Sequence, residues 1–221
     1  MSGADWQLVS FSLRMALISL ALLLTPGLAL AWWLAKFNWR GKAVIETFVS
    51  LPLVLPPVVT GLVLLQLFGR TGPLGGWLHQ TLGLDVLFTW RAVVLALTAM
   101  SLPLFVRAAR TAFEEVDGKF EQLARTLGAG EWRVFWTVTL PLARRGVLAG
   151  TLLAFARSLG EFGATILVAG NIPGRTTTLP VAIYQAVQAG EDSHAWTLAG
   201  VSMTIAFGAV FASENFLRRR R

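Results

Sequence analysis

Residues that support catalysis or crosslinking are scarce in this chain of 221 residues. It has no cysteine, which excludes disulfide scaffolds, thiolate metal sites and cysteine nucleophiles. Its two histidines, His79 and His194, each stand alone in a polar connecting stretch. A cluster of zinc or iron ligands is therefore not expected. The sequence predicts no catalytic residues, no metal site and no cofactor.

Charged residues are scarce as well. They make up 14% of the chain, whereas hydrophobic residues make up 55%, and a soluble domain has about a quarter charged residues. The apolar residues form blocks, several of them near the roughly 20 residues that span a bilayer as a helix. Only helices and closed barrels can span a membrane, and these blocks lack the alternation of barrel strands. The sequence therefore predicts an all-α integral membrane protein.

Five hydrophobic segments predict about five transmembrane helices in one transmembrane domain, residues 1–221. The predicted spans are residues 11–35, 48–68, 92–109, 146–169 and 195–217. The first span contains Ala29-Leu30-Ala31, which is similar to a signal-peptidase site, but the apolar run continues past it. Because further spans follow, we interpret this segment as an uncleaved helix.

Basic residues are distributed unevenly between the connections. The first connection, the third connection and the C-terminus hold three, seven and four of them, whereas the N-terminal tail and the other two connections hold three together. Cytoplasmic loops collect Lys and Arg. The pattern predicts an N-terminus outside the cell and a cytoplasmic C-terminus. It also accounts for the net charge of +7 without nucleic acid as a partner.

The third connection, about residues 110–145, is the longest on the predicted inner side. Residues 121–127 predict a short helix that ends at Gly128 in the left-handed conformation. Residues 131–138 predict a second short helix that ends at Leu140-Pro141. Apolar and charged residues are interleaved here, which is typical of a helix that lies on a membrane or docks into a groove of a partner. The periodicity alone leaves both open.

Two charges, Arg157 and Glu161, fall inside the predicted fourth span. Each ionised residue at mid-membrane costs about 2.5–3.5 kcal/mol, and the span's strongly apolar residues recover roughly 3–6 kcal/mol. The helix therefore needs shelter from other helices. Residues four apart can pair directly. A structural ion pair and a pair that lines a pore or gate are both compatible with this pattern.

No GxxxxGK[ST] phosphate-binding loop occurs in the sequence. Transport driven by ATP would therefore need a separate motor chain.

The third connection resembles the EAA loop of ABC importer permeases. Residues 121–128 read EQLARTLG and residues 138–141 read VTLP, and the family pattern is Glu-Ala-Ala, three residues, Gly, nine residues, Ile, one residue, Leu-Pro. Gln122 and Leu123 depart from its first two positions, and an acidic residue stands one place earlier. In that family the loop forms the coupling helix, which sits in a cleft of the cytoplasmic ATPase subunit. The resemblance assigns ATPase coupling to Glu121, Gln122, Ala124, Gly128, Leu140 and Pro141.

The second half of the chain resembles molybdate permeases. The resemblance lies in residues 157–165, RSLGEFGAT, and residues 171–180, NIPGRTTTLP, and it extends to residues 51–57, LPLVLPP. The core GEFGA is shared with sulfate and thiosulfate permeases. The resemblance implies the type I, MetI-like permease fold with a cytoplasmic coupling helix, in a bacterial inner (plasma) membrane.

The same resemblance implies function and partners. It implies ATP-driven import of molybdate by a homodimer of this chain, with two cytoplasmic ATPase subunits and a periplasmic oxyanion-binding protein, embedded in membrane lipid. The candidate pore or gate residues are Arg157, Ser158, Gly160, Glu161 and Thr165. The candidate contacts with the binding protein are Asn171, Pro173, Arg175 and Thr177.

Several alternatives stay open at this point. Tungstate, sulfate or thiosulfate would suit the same scaffold, since no residue measures the size of an oxyanion. A secondary transporter or channel would normally need inverted repeats or several intramembrane acids, and Glu161 is the only acid deep in a predicted span. A membrane-embedded enzyme would need a catalytic constellation, and no His or Cys lies in a predicted span.

Overall fold

Helices form all the regular secondary structure in the described part of the chain. The computed structural model describes the backbone of residues 2–218 and the side chains of residues 2–215, so the basic run 218–221, used in the topology prediction, lies outside the described side chains. The helices include a π-helical turn at Phe135–Thr139. The predicted all-α fold is confirmed. The helices are α1 Gly3–Lys36, α2 Lys42–Val54, α3 Pro57–Phe68, α4 Pro73–Leu82, α5 Trp90–Glu114, α6 Gly118–Thr126, α7 Glu131–Val134, α8 Leu140–Leu159, α9 Gly163–Ala169, α10 Leu179–Gln188 and α11 Asp192–Arg218.

Four helical segments are long and apolar enough to cross a membrane. They are α1, α5, the continuous helix Glu131–Leu159 made of α7, the π turn and α8, and α11. The pair α2 and α3 passes the same test only when taken together, with a bend of 114° between them. Pro56 and Pro57 cause the bend, because proline lacks an N–H and forces the preceding residue out of the helical region. With this bent pair, the described residues contain five candidate spans.

The fourth candidate span differs most from the prediction. The prediction that a short helix ends at Leu140-Pro141 is wrong, because the helix continues through these residues. The π turn explains the continuity: the Leu140 N–H donates to the Phe135 carbonyl five residues back, which widens the turn that precedes the proline ring. The predicted span 146–169 is divided, since α8 ends at Leu159 and α9 begins at Gly163.

The centre of the bundle is α5, which packs chiefly against α1 and α8. A Cβ on Gly27 of α1 would lie 2.7 Å from the ring of Phe105, and a Cβ on Gly146 of α8 would lie 2.5 Å from the Cβ of Ala112. Small residues let membrane helices approach closely, so that van der Waals packing holds them together. The glycines therefore place α1 and α8 directly against α5.

Helix α1 connects two regions at opposite ends of the molecule. Near its start, the Ser12 hydroxyl oxygen accepts a hydrogen bond of 2.8 Å from the Leu179 N–H of α10. At its end, Lys36 contacts Glu121 of α6. At 1.5 Å per residue the helical path from Ser12 to Lys36 is about 36 Å, which exceeds the thickness of a bilayer's hydrocarbon core. Helix α6 and the start of α10 are therefore separated by a membrane's thickness.

Replacing Gly146 by alanine tests the close packing of α5 and α8. We expect Gly146→Ala to lower the melting temperature of the detergent-purified protein by several degrees, because overpacking costs about 1–3 kcal/mol. Gly200→Ala in α11 is the matched control, since a Cβ there meets nothing within 4 Å and alanine favours a helix over glycine. Equal melting temperatures for the two variants would contradict the packing description.

Candidate functional site

Glu161 occupies the break between α8 and α9 and is almost fully buried, with 2% of its surface exposed. One carboxylate oxygen lies 2.9 Å from Nη2 of Arg157. The other accepts a hydrogen bond of 2.8 Å from the Ala164 N–H. The predicted pairing of Arg157 with Glu161 is confirmed, and its role in a pore or gate stays a prediction.

The local sequence explains this arrangement. Gly160 ends α8, and Glu161 satisfies one of the amide groups at the start of α9 that have no partner within the helix. Arg157 stands in the last turn of α8, where a positive charge is favoured by the helix dipole. At membrane depth no bulk water replaces these partners. The ion pair therefore holds a discontinuous span together.

The fourth span has buried positions on one side and exposed apolar positions elsewhere. Ala154 and Thr165 are fully buried, whereas Leu148 is 46% exposed. Gly160 is exposed, and 28% of the Arg157 side chain is exposed. The guanidinium thus has one face toward the buried carboxylate and one face open.

Ser158 is buried, and its hydroxyl donates to the carbonyl of Phe155. The Ser158 hydroxyl proton is therefore used in a hydrogen bond within α8. The hydroxyl oxygens of Thr60 and Thr165 are buried without a hydrogen-bond partner among the described residues. Thr165 therefore adds an unsatisfied polar group next to the break.

The break in the fourth span lies against the bend in the second. A Cβ on Gly163 would lie 2.8 Å from the Cβ of Pro57, and a Cβ on Gly61 would lie 2.9 Å from the Cα of Ala164. These glycines let α3 and α9 cross at close range. Two discontinuous spans thus meet at one point, as in transporters whose sites are formed by broken helices.

A cavity of about 620 Å³ lies between α2 and α5, nearer to the end of α5. Of its two arginines, Arg110 forms ion pairs with Glu46 and Glu114 at 2.8 and 2.7 Å. Arg107 donates to the Ser50 hydroxyl at 3.1 Å and forms no ion pair with any described residue. No local pattern in the sequence predicts that Arg107 faces a cavity.

The short helix α6 is attached to the rest of the chain through Glu121. The carboxylate lies 2.8 Å from Nζ of Lys36 and accepts a hydrogen bond of 2.6 Å from the Thr139 hydroxyl of the π turn. Glu121 is 4% exposed, so its side chain faces its own subunit. A contribution of Glu121 to coupling would be indirect. Lys36 and Thr139 were not predicted, since they lie far from Glu121 in the sequence.

The other predicted coupling residues form a mixed set. Gln122 and Gly128 are exposed and Ala124 is partly buried, while Leu140 and Pro141 lie at the start of α8 beyond the π turn. Gly128 has φ +83°, so its predicted left-handed conformation is confirmed. Next to these residues, Leu123 and Leu127 are 59% and 81% exposed. Helix α6 therefore presents an uncovered apolar surface.

A second ion pair connects α6 to α7. The Arg125 guanidinium donates to both carboxylate oxygens of Glu131, at 2.6 and 3.0 Å. The pair bridges the turn at Gly128 but is open to solvent, so it contributes little to stability.

The residues predicted to contact a binding protein form a compact turn before α10. The Thr177 hydroxyl donates to the Asn171 side-chain oxygen at 2.7 Å, which closes the base of the turn. Pro173 and Arg175 are exposed at its tip, on either side of Gly174 with φ +72°. The structure therefore brings the four residues together, with two holding the turn and two projecting from it.

Comparison with known proteins adds three findings. Residues 27–220 match the family described as binding-protein-dependent transport system inner membrane component. The chain is 47% identical to the molybdenum transport system permease protein ModB of Escherichia coli K12, over 100% of this chain and 97% of that protein. It is 40% identical to the sulfate transport system permease protein CysW of Synechocystis, over 77% of this chain and 62% of that protein.

The fold is similar to that of a chain in an inward-facing structure of the MetNI methionine ABC transporter. The TM-score is 0.73 at 16% identity, with 99% of each chain covered. At this identity the likeness concerns the fold alone. It confirms the predicted MetI-like architecture.

A double-mutant cycle tests whether Arg157 and Glu161 act as one unit. We expect Arg157→Gln to destabilise the protein more than Glu161→Gln, because Arg157→Gln leaves an unpaired charge that is fully buried, whereas Glu161→Gln leaves one whose side chain is 28% exposed. We expect the double variant to be more stable than the sum of the single losses allows, with a coupling of about 0.5–3 kcal/mol. Purely additive losses of thermal stability would show that the pair is not coupled.

Proposed function

The chain belongs to the family of binding-protein-dependent transport system inner membrane components, and from this membership we propose its function. We propose that it is the membrane-spanning permease subunit of an ABC importer that carries molybdate into the cell, driven by ATP. The full-length relationship to the molybdenum permease of E. coli carries this proposal. The chain is a non-catalytic, multi-pass membrane component, so ATP hydrolysis belongs to a separate subunit.

The surface of α6 supports docking of a cytoplasmic ATPase subunit. Leu123 and Leu127 are exposed beside Gly128, and the sharp turn at Gly128 leaves the end of the helix free to enter a cleft. The sequence pattern left a membrane-surface helix and a docking helix open, and family membership favours docking. The ATPase then contacts Gln122, Ala124 and Gly128. The side of α6 that faces its own subunit is held in place by Glu121, Leu140 and Pro141.

The exposed faces of α2 and α3 support a homodimer. In the single chain no residue of α2 is buried, and Val54, Val58 and Leu62 are exposed. A second copy that covers this face would place the bend of the second span and the break of the fourth next to the path between the subunits. Arg157 would then present its open face to an oxyanion, while Glu161 keeps the attraction weak enough for release.

The proposed orientation places the N-terminus outside and the C-terminus in the cytoplasm. The unequal distribution of basic residues supports it. The structure adds that α6 and the turn at residues 171–177 lie at opposite ends of α1. An ATPase on α6 and a periplasmic oxyanion-binding protein at Pro173 and Arg175 would therefore occupy opposite sides of the membrane.

The similarity to known permeases favours molybdate over sulfate as the transported anion. The molybdenum permease matches the chain over its whole length and at higher identity than the sulfate permease does. Tungstate has the same charge and shape, and selection between the two belongs to the binding protein.

Reconstitution of the complete importer tests the proposal. The dimeric permease, its ATPase subunits and the binding protein are placed in proteoliposomes, and ATP hydrolysis is measured with molybdate, tungstate, sulfate or no anion. We expect molybdate-loaded binding protein to stimulate hydrolysis and uptake. Stimulation by sulfate alone would assign the chain to sulfate import. Uptake by the permease without the ATPase would contradict an ATP-driven importer.

Gly128→Asp tests the docking surface. We expect this variant to insert into the membrane normally but to lose co-purification of the ATPase, because a carboxylate enters an apolar contact. Gly83→Asp is the matched control: Gly83 also ends a helix with positive φ, 62° against 83°, and a Cβ meets nothing within 4 Å at either position. The control shares the backbone strain and lies away from α6, so it should retain the ATPase. Equal ATPase recovery in the two variants would contradict docking at α6.

A further inference from the structure

Glu121 is a buried acid that joins three separate elements of the chain. Its carboxylate contacts Lys36 in the last turn of α1, at 2.8 and 3.0 Å. It also accepts the hydrogen bond of 2.6 Å from Thr139 at the end of the π turn. Glu121 itself belongs to α6. Carboxylate, ammonium and hydroxyl thus connect the short helix to the end of the first span and to the start of the fourth.

Few other contacts connect α6 to the first span. The helix has nine residues and packs mainly against α7 and the π turn. Its connections are short and contain glycine, with Gly118 at its start and Gly128 and Gly130 beyond its end. Backbone at glycine is permissive. A force on the outer surface of α6 would therefore rotate the helix on its connections unless a side chain fixes it to α1.

Among the charged residues around α6, Lys36 is the ion-pair partner of the buried Glu121. Within the same region Arg125 is engaged by Glu131 through both carboxylate oxygens. Glu121 is buried, and Lys36 is the only described cation in ion-pair contact with it. Removing one partner of a buried ion pair strongly destabilises the protein, whereas an exposed ion pair contributes little to its stability. The two ion pairs of this segment thus differ in what their removal should do.

We infer that Lys36, Glu121 and Thr139 are positioning residues that transmit movement of the ATPase-docked α6 to α1. This inference rests on the proposed function. Helix α1 is continuous from Gly3 to Lys36, and its far end holds the start of α10 through Ser12 and Leu179. Movement at the ATPase would reach the turn at residues 171–177 along this helix.

Lys36→Met in the reconstituted complex tests the inference. Methionine keeps much of the apolar stem but removes the charge. We expect the variant to retain the ATPase subunits and their basal hydrolysis, and to lose stimulation by molybdate-loaded binding protein by about fivefold or more, as expected for a broken coupling between sites. Glu131→Gln, which removes the exposed ion pair of the same segment, should retain full stimulation.

A charge exchange and a covalent link separate transmission from a general loss of stability. Lys36→Glu combined with Glu121→Lys should restore at least half of the stimulation. Because the chain has no cysteine, Lys36→Cys with Glu121→Cys can be joined by a short bismaleimide, and the joined protein should be stimulated more than the unjoined one. If Lys36→Met does not assemble, the covalent link decides: restored stimulation supports the inference, and unrestored stimulation overturns it.

Two different experimental outcomes test the transmission role and the proposed function separately. Full stimulation of Lys36→Met overturns the transmission role while leaving the importer intact. A wild-type complex that molybdate-loaded binding protein does not stimulate overturns the proposed function itself.

Discussion

A buried carboxylate in a membrane protein needs a cation and hydrogen-bond donors, and two helix junctions of this chain are organised around that requirement. Glu161 pairs with Arg157 and accepts a hydrogen bond from the Ala164 N–H at the start of α9. Glu121 pairs with Lys36 and accepts the hydroxyl of Thr139. Without these partners a buried charge would cost several kcal/mol. The Glu161 carboxylate therefore holds the break between α8 and α9 together, and the Glu121 carboxylate holds α6 to the end of α1.

Elsewhere the backbone is interrupted in ways that allow movement. Pro56 and Pro57 bend the second span, Gly160 ends α8, and the π turn widens the helix before Pro141. Tight glycine contacts hold the bend and the break together, at Gly61 and Gly163. The importer architecture requires such a combination. Rigid segments transmit force, and a few interrupted positions absorb the change in shape.

The sequence predicted what depends on neighbouring residues. Gly128 was predicted as a left-handed stop from the helix pattern before it, and the pairing of Arg157 with Glu161 followed from their spacing of four. Contacts between distant residues were not predictable. Lys36 and Glu121 are 85 positions apart. The sequence therefore indicated only that Lys36 belongs to a basic, cytoplasmic connection. The prediction failed at Leu140-Pro141 because proline usually ends a helix, and a π turn leaves no signature in composition.

Arg157 and Arg107 each have a face open to space, and their side-chain partners differ. Arg157 is held by a buried carboxylate, which fixes its position and reduces its attraction for a passing oxyanion. Arg107 faces the cavity between α2 and α5 with a serine hydroxyl as its polar side-chain partner. A pathway needs attraction at several weak sites rather than one strong site, because a tightly held ion cannot leave. If the dimer places both arginines along one path, Arg157 and Arg107 would provide two separate sites of attraction for the anion, and the selection among oxyanions would remain with the binding protein.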